Sequence, residues 1–176
     1  SFQYNARGGG QDYGYYASFG IDDEDGTTRN NSQSRRTGRV NFNWIGTEKL
    51  SFDATVGLSK NESLLPPGDQ STYGYQIGAG LGSPLSVRFA GDGKTLAGGW
   101  MLGTESVESI SSIRSQVTAM RVTPSAKVQY NPTSWLTNRL TVGADITRSD
   151  AVQFYPKNDQ NWFSGDQANG WVQSLK

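Results

Sequence analysis

Leu50-Ser51-Phe52-Asp53-Ala54-Thr55-Val56-Gly57-Leu58-Ser59 alternates apolar and polar residues without a break. Leu50, Phe52, Ala54, Val56 and Leu58 take one face, and Ser51, Asp53, Thr55, Gly57 and Ser59 take the other. Side chains on a strand repeat every second residue, so the stretch predicts a β-strand with one apolar and one polar face. The pattern returns at Leu140, Val142, Ala144 and Ile146 against Thr141, Gly143, Asp145 and Thr147. Both runs have the length, about ten residues, that crosses a bilayer as a tilted strand. The reading is a membrane β-barrel, with the apolar face toward lipid and the polar face toward a watery lumen. Leu50, Phe52, Val56, Leu58, Leu140, Val142 and Ile146 are the lipid-facing candidates.

Working outward, further strands are expected at 13–22, 35–45 and 116–130 beside those at 49–60 and 139–149. Tyr13, Tyr15, Ala17, Phe19 and Ile21 form one apolar stripe, and Val40, Phe42 and Trp44 another. Met120, Val122, Ala126, Val128 and Tyr130 form a third, although Pro124 lacks the N–H that a central ladder needs. Ser1 to Ala6 reads as the tail of an earlier strand, and Gly170-Trp171-Val172 as the start of a later one. Arg7 to Asp12, Gly46 to Glu48 and Asn131 to Asn138 are short turns. Asp23 to Gln33, Glu62 to Ser112 and Asp150 to Asn169 are longer connections. Short and long connections therefore alternate, as they do in outer-membrane barrels. The fold expected is all-β: an antiparallel up-and-down meander forming part of a transmembrane β-barrel. Tyr13, Tyr15, Trp44, Tyr130 and Trp135 fall near the short turns, where an aromatic girdle would sit. Aromatics at the edge of a sandwich core are the alternative explanation of the same clustering, and the clustering at the short turns favours the girdle.

Composition narrows the function classes. The 176 residues include 22 Gly, 34% hydrophobic residues, and 16 acidic against 16 basic groups. Mean hydropathy is −0.61. The balanced charge gives no reason to expect a nucleic-acid partner. No apolar run reaches the length of about 18 residues that a transmembrane helix needs, and a barrel strand needs only every second residue apolar. Cys and His are both absent. Thiol chemistry, imidazole bases and the usual zinc ligands are thereby excluded from this chain. No catalytic, cofactor-binding or metal-binding residue is assigned, and no enzyme activity is expected.

The remaining motifs read as loops. Asp23-x-Asp25-Gly26 lacks the acidic residue at Ile21 and the Glu at Ser32 that a calcium loop of the EF-hand type requires. Gly93-Lys94-Thr95 has Arg88 where a phosphate loop needs its first Gly. Gly78 to Gly82 lacks the dinucleotide-binding spacing. Asp53 and Asp145 lie on polar strand faces, and nothing fixes two carboxylates across a cleft as an acid–base pair. Arg39, Asn41, Asn43, Asp53, Arg121 and Lys127 read as a hydrated lumen wall. Within the long connection, Tyr73, Tyr75, Phe89 and Trp100 are candidates for stacking on a ligand.

Tyr15-Tyr16-Ala17-Ser18-Phe19-Gly20, Gly26, Arg36-Thr37-Gly38-Arg39-Val40-Asn41-Phe42 and the Leu50–Ser59 strand resemble the barrel of TonB-dependent outer-membrane transporters. The likeness is to the SusC/RagA-like branch. Trp135-Leu136-Thr137-Asn138-Arg139-Leu140-Thr141-Val142-Gly143-Ala144-Asp145 is similar to a later hairpin of the same barrels. The resemblance implies a barrel of about 22 strands with a plugged lumen. It also implies the bacterial cell outer membrane as the location, and uptake of oligosaccharides, peptides or metal chelates as the task. The implied partners are outer-membrane lipid, the remaining strands and plug, the TonB complex reached through that plug, and a SusD-like surface lipoprotein. On this reading residues 1–176 are one partial barrel domain, a fragment without plug or remaining strands. The rival from another class is a secreted, soluble β-sandwich that binds glycans through Trp100, Trp162 and Trp171. A sandwich would need a second sheet to cover the apolar stripes.

Overall fold

A computed structural model describes residues 1–66, 111–157 and 170–175. Among the described residues eight strands make up one antiparallel sheet: β1 (Phe2–Gly9), β2 (Tyr13–Asp25), β3 (Ser32–Thr47), β4 (Leu50–Leu65), β5 (Arg114–Thr133), β6 (Leu136–Gly143), β7 (Ile146–Tyr155) and β8 (Trp171–Leu175). The strand path is β1-β2-β3-β4-β5-β7-β8, with β6 paired to β5. This is a meander in sequence order, and β7 runs on to Tyr155, into the stretch expected as a connection from Asp150. No helix among the described residues is long and apolar enough to cross a membrane, which says nothing of crossing by strands.

Most strands run longer than the alternation alone predicts. β1 continues through Arg7-Gly8-Gly9, expected as a turn, because those residues stay in register with Tyr16, Tyr15 and Gly14. Gly8 lies opposite Tyr15, whose ring covers it so closely that any side chain at this position would collide with the phenol. The glycine is thus a place for a neighbouring aromatic to lie down, and its turn-forming tendency is overridden by pairing. β2 and β3 extend to Asp25 and from Ser32, which shortens the expected 23–33 loop. There Gly26 N–H donates to Asn31 O at 2.7 Å.

The expected strand at 139–149 is two strands, separated at Ala144-Asp145. The cause is Pro124. β6 pairs with β5 through Ser125↔Gly143, Ala126↔Val142 and Val128↔Leu140, which puts Ala144 opposite Pro124. Ala144 N–H donates to Pro124 O at 3.0 Å. Pro124 has no N–H to return the bond, so the two-way exchange of an antiparallel pair is broken at this rung. The Pro that argued against the β5 strand leaves β5 continuous and interrupts its neighbour instead.

The chain divides into two compact units. One comprises Ser1–Asp23, Gln33–Glu62 and Thr118–Ser149; the other comprises Glu24–Ser32, Ser63–Val117 and Asp150–Lys176. The second unit holds the buried apolar side chains of the described residues, Ile113 at 0% exposure and Tyr155 at 5%. Trp171 packs against this pair, its ring 5.4 Å from that of Tyr155 and tilted by 60°. Asn30 sits in the left-handed region at φ 61°, where an Asn side chain is tolerated. Its Nδ2 donates to Ser111 O and, at 2.7 Å, to Ile113 O. The first unit is sheet alone, with no buried apolar side chain among its described residues.

Candidate functional site: the two faces of the sheet

Register sorts the side chains of the first unit onto two faces of opposite character. Phe2↔Ile21, Tyr4↔Phe19, Ala6↔Ala17 and Gly8↔Tyr15 share one face. Ala126↔Val142 and Val128↔Leu140 do the same further along the sheet. A Cβ at Gly38 would lie 3.9 Å from Leu58 Cβ, so the even positions of β3 and β4 share that apolar face as well. Its residues are open to the surroundings. Leu140 is 64% exposed, Val142 61% and Leu58 52%, and Val40, Phe42, Val56, Met120 and Ile146 are exposed too. Among the lipid-facing candidates Leu50 and Phe52 are half-buried. A monomeric protein in water rarely presents a continuous apolar patch beyond a few hundred Å². Covering one such Leu, Val or Phe side chain fully is worth about 1.5–3 kcal/mol.

The apolar face has ends. From Leu50 to Leu58 it spans eight residue steps on β4, roughly 27 Å at about 3.4 Å per residue. At one end stand Tyr13, Trp44 and Tyr130. Ile45 N–H donates to Asp12 O at 2.7 Å, which sets Tyr13 beside Trp44. Asn131 N–H donates to Lys49 O at 2.8 Å, which sets Tyr130 beside Leu50. Trp135, in the turn between β5 and β6, is 80% exposed at the same turn-side end. At the other end the even positions become charged: Arg36 on β3, then Lys60 and Glu62 on β4. Lys60 Nζ lies 2.6 Å from Glu62 Oε1.

The opposite face carries a polar network. Lys127 Nζ donates to Asp53 Oδ2 at 3.2 Å. Arg121 grips Asp145 with two bonds, Nε to Oδ1 at 2.8 Å and Nη2 to Oδ2 at 2.5 Å. Arg139 Nη2 donates to Gln129 Oε1 at 3.2 Å, and Gln33 Nε2 to Asn61 Oδ1 at 2.9 Å. Thr123 Oγ1 donates to Gly57 O at 3.5 Å. Asp53 and Asp145 are thus each paired with a cation across strands. They are not paired with each other, and each keeps about half of its side-chain surface exposed. Arg7, Gly14, Tyr16, Asn41 and Asn43 line an open recess of about 610 Å³ on this face. Asn41 Oδ1 points inward without a hydrogen-bond donor. Among the described residues no three His, Cys, Asp or Glu side chains gather to hold a metal ion.

Across the β5–β6 pair, residues of the alternating stripes lie opposite one another, as Ala126 with Val142 and Val128 with Leu140, but the alternation indicates no partners for the ions. Asp53 meets Lys127 across 74 positions of sequence, and no local pattern sets that register. The stacking candidates Tyr73, Tyr75, Phe89 and Trp100 lie outside the described residues, as does Trp162. Trp171, proposed by the sandwich reading as a binding platform, is half-buried against Tyr155 and Ile113. No protein-family model matches this chain. No curated protein matches it either.

Proposed function

We propose that this chain is a section of the wall of an outer-membrane β-barrel, in a TonB-dependent transporter of the SusC/RagA-like kind. Its work there is to separate lipid from a hydrated lumen, and it performs no chemistry. The observation that carries this reading is the apolar face, nine residues tall on β4 from Leu50 to Leu58 and open at Val56 and Leu58. A tilted strand needs about 9–11 residues to cross the hydrocarbon layer. Aromatics at one end and charges at the other match the two edges of such a layer. The hydrogen-bonded ions of the other face suit a lumen that holds water, because each keeps solvent on one side and a partner on the other. The sheet path ends at β1 and β8, and further strands would pair with those edges to close a barrel. The likeness of Tyr15–Gly20, Arg36–Phe42, Leu50–Ser59 and Trp135–Asp145 to TonB-dependent barrels supplies the transporter class. With it come the plug, the TonB complex and a SusD-like lipoprotein as partners, and oligosaccharides, peptides or metal chelates as cargo.

The test is to express the full-length protein that carries this chain and fractionate the cell envelope. Recovery in the outer membrane, with a folded band whose gel mobility changes on boiling, is the expected result. Uptake that stops when the inner-membrane proton gradient is dissipated would add the energised step. Recovery as a soluble secreted protein that binds glycans would replace this reading with the sandwich.

A further inference from the structure

We propose that the apolar face carries a seat for one anionic phospholipid, its acyl chain lying over Gly38 and its phosphate held by Arg36 and Lys60. The proposal rests on the membrane reading above and names a lipid that the wall would select. A groove of about 290 Å³ opens on this face between Phe19 of β2, Leu58 of β4 and Met120 of β5. Gly38 of β3 forms part of its lining. A Cβ built there would make ordinary contact with Leu58 Cβ and Ser18 O at 3.9 Å, so a side chain fits at this position and would take up part of the groove. Arg36 and Lys60 also line the groove. Arg36 comes two residues before Gly38, and Lys60 two residues after Leu58. Because β3 and β4 are antiparallel, both cations fall at the same end.

The ligand chemistry follows from that juxtaposition. A phosphate offers oxygen pairs that a guanidinium fork grips in two places, and an ammonium adds a point charge. The Lys stem can lie along the apolar wall while its charge stays at the polar edge. Glu62 contacts Lys60 and offsets part of the charge, which leaves two cations against one carboxylate. A soluble anion would satisfy the cations and leave the groove bare. A zwitterionic choline lipid would bring its own cation beside Arg36 and Lys60. An acyl chain joined to an anionic phosphate fills both parts of the seat.

Native mass spectrometry of the full-length protein tests this, with phosphatidylglycerol and phosphatidylcholine offered in equal amounts. Retention of phosphatidylglycerol over phosphatidylcholine is expected. Arg36→Gln and Lys60→Gln should each lower that retention about fivefold, the worth of one basic residue near an anionic lipid surface. Glu62→Gln frees Lys60 and should raise it. Gly38→Leu fills the groove and should lower retention with every charge intact. Each variant is first checked for heat-modifiable mobility; if Gly38→Leu does not assemble, the two charge variants decide. Equal retention of both lipids by the parent and the charge variants overturns the lipid seat and leaves the barrel standing. So does an acidic protein found bound to this face in place of lipid. A parent that enters no membrane overturns both.

Discussion

Val56 and Thr55 are neighbours in the chain and occupy opposite faces of β4. The first belongs to the exposed apolar set, and the second lies beside the Asp53–Lys127 pair. If lipid covers the apolar face, Arg at Val56 or Val142 costs roughly 2–4 kcal/mol near the bilayer midplane. Thr55→Arg and Thr141→Arg place the same charge in water and should cost far less. The measurement is the fraction of full-length protein recovered as heat-modifiable barrel, low for the Val variants and near parental for the Thr variants. Glu62 lies beyond the apolar stretch, and its hydrogen bond and charge attraction with Lys60 hold its carboxyl below the ordinary value of 4.5, helped by Arg36. A carboxyl with a lowered folded-state value stabilises the fold at pH above its unfolded value, and that contribution is lost as pH falls through the lowered one. The group is solvent-exposed, so the effect is small and screened by salt. Glu62→Gln should flatten the acid limb of the stability–pH curve below about pH 4.5, in the range this ordinary carboxylate value sets. Both curves are read from thermal unfolding in the same detergent.

At the scale of the element, period two was the legible signal. It reports which face a residue takes wherever neighbouring strands share a register, and Leu50–Ser59 shows it best. It does not report where pairing stops. β1 runs on through Gly8 and Gly9 because Tyr15 and Gly14 pair with them across a turn. β6 stops because of a residue on another strand, Pro124, whose position opposite Ala144 depends on register. The ion pairs were hidden for the same reason. Arg121, Asp145, Asp53 and Lys127 were all readable as polar-face residues, but which meets which is set by alignment between strands distant in sequence. The Ile113–Tyr155–Trp171 cluster draws on three separate segments and gave no local sign at all. Pro124→Val restores an N–H facing Ala144 O, and the new amide should exchange slowly with deuterium. A hydrogen bond gained at this rung is worth about 0.5–1.5 kcal/mol net. Fast exchange at position 124, with β6 and β7 still separate, would place the cause of the break elsewhere.

For the whole molecule, the sheet of the first unit is a surface with two characters and no interior of its own. On it apolar residues lie opposite one another where register pairs them, as Tyr4 with Phe19 and Val128 with Leu140, and Asp53 and Asp145 each meet a cation on β5. This consistency between levels is what the proposed boundary between lipid and water requires. A second sheet, a partner protein and a bilayer would all cover the apolar face, and they differ in what reaches it. Spin labels report that difference, since oxygen concentrates in lipid and a water-soluble nickel chelate does not enter it. The chain has no Cys of its own to interfere. Single cysteines are placed in turn at Ala54, Thr55, Val56, Gly57, Leu58, Thr141 and Val142 of the full-length protein in its membrane. Labels at 54, 56, 58 and 142 are predicted to collide with oxygen and not with the chelate. Labels at 55, 57 and 141 are predicted to do the reverse. Labels at the even positions that meet neither reagent, as in a protein core, or that meet the chelate as freely as the odd ones, would contradict the claim that this face lies against lipid.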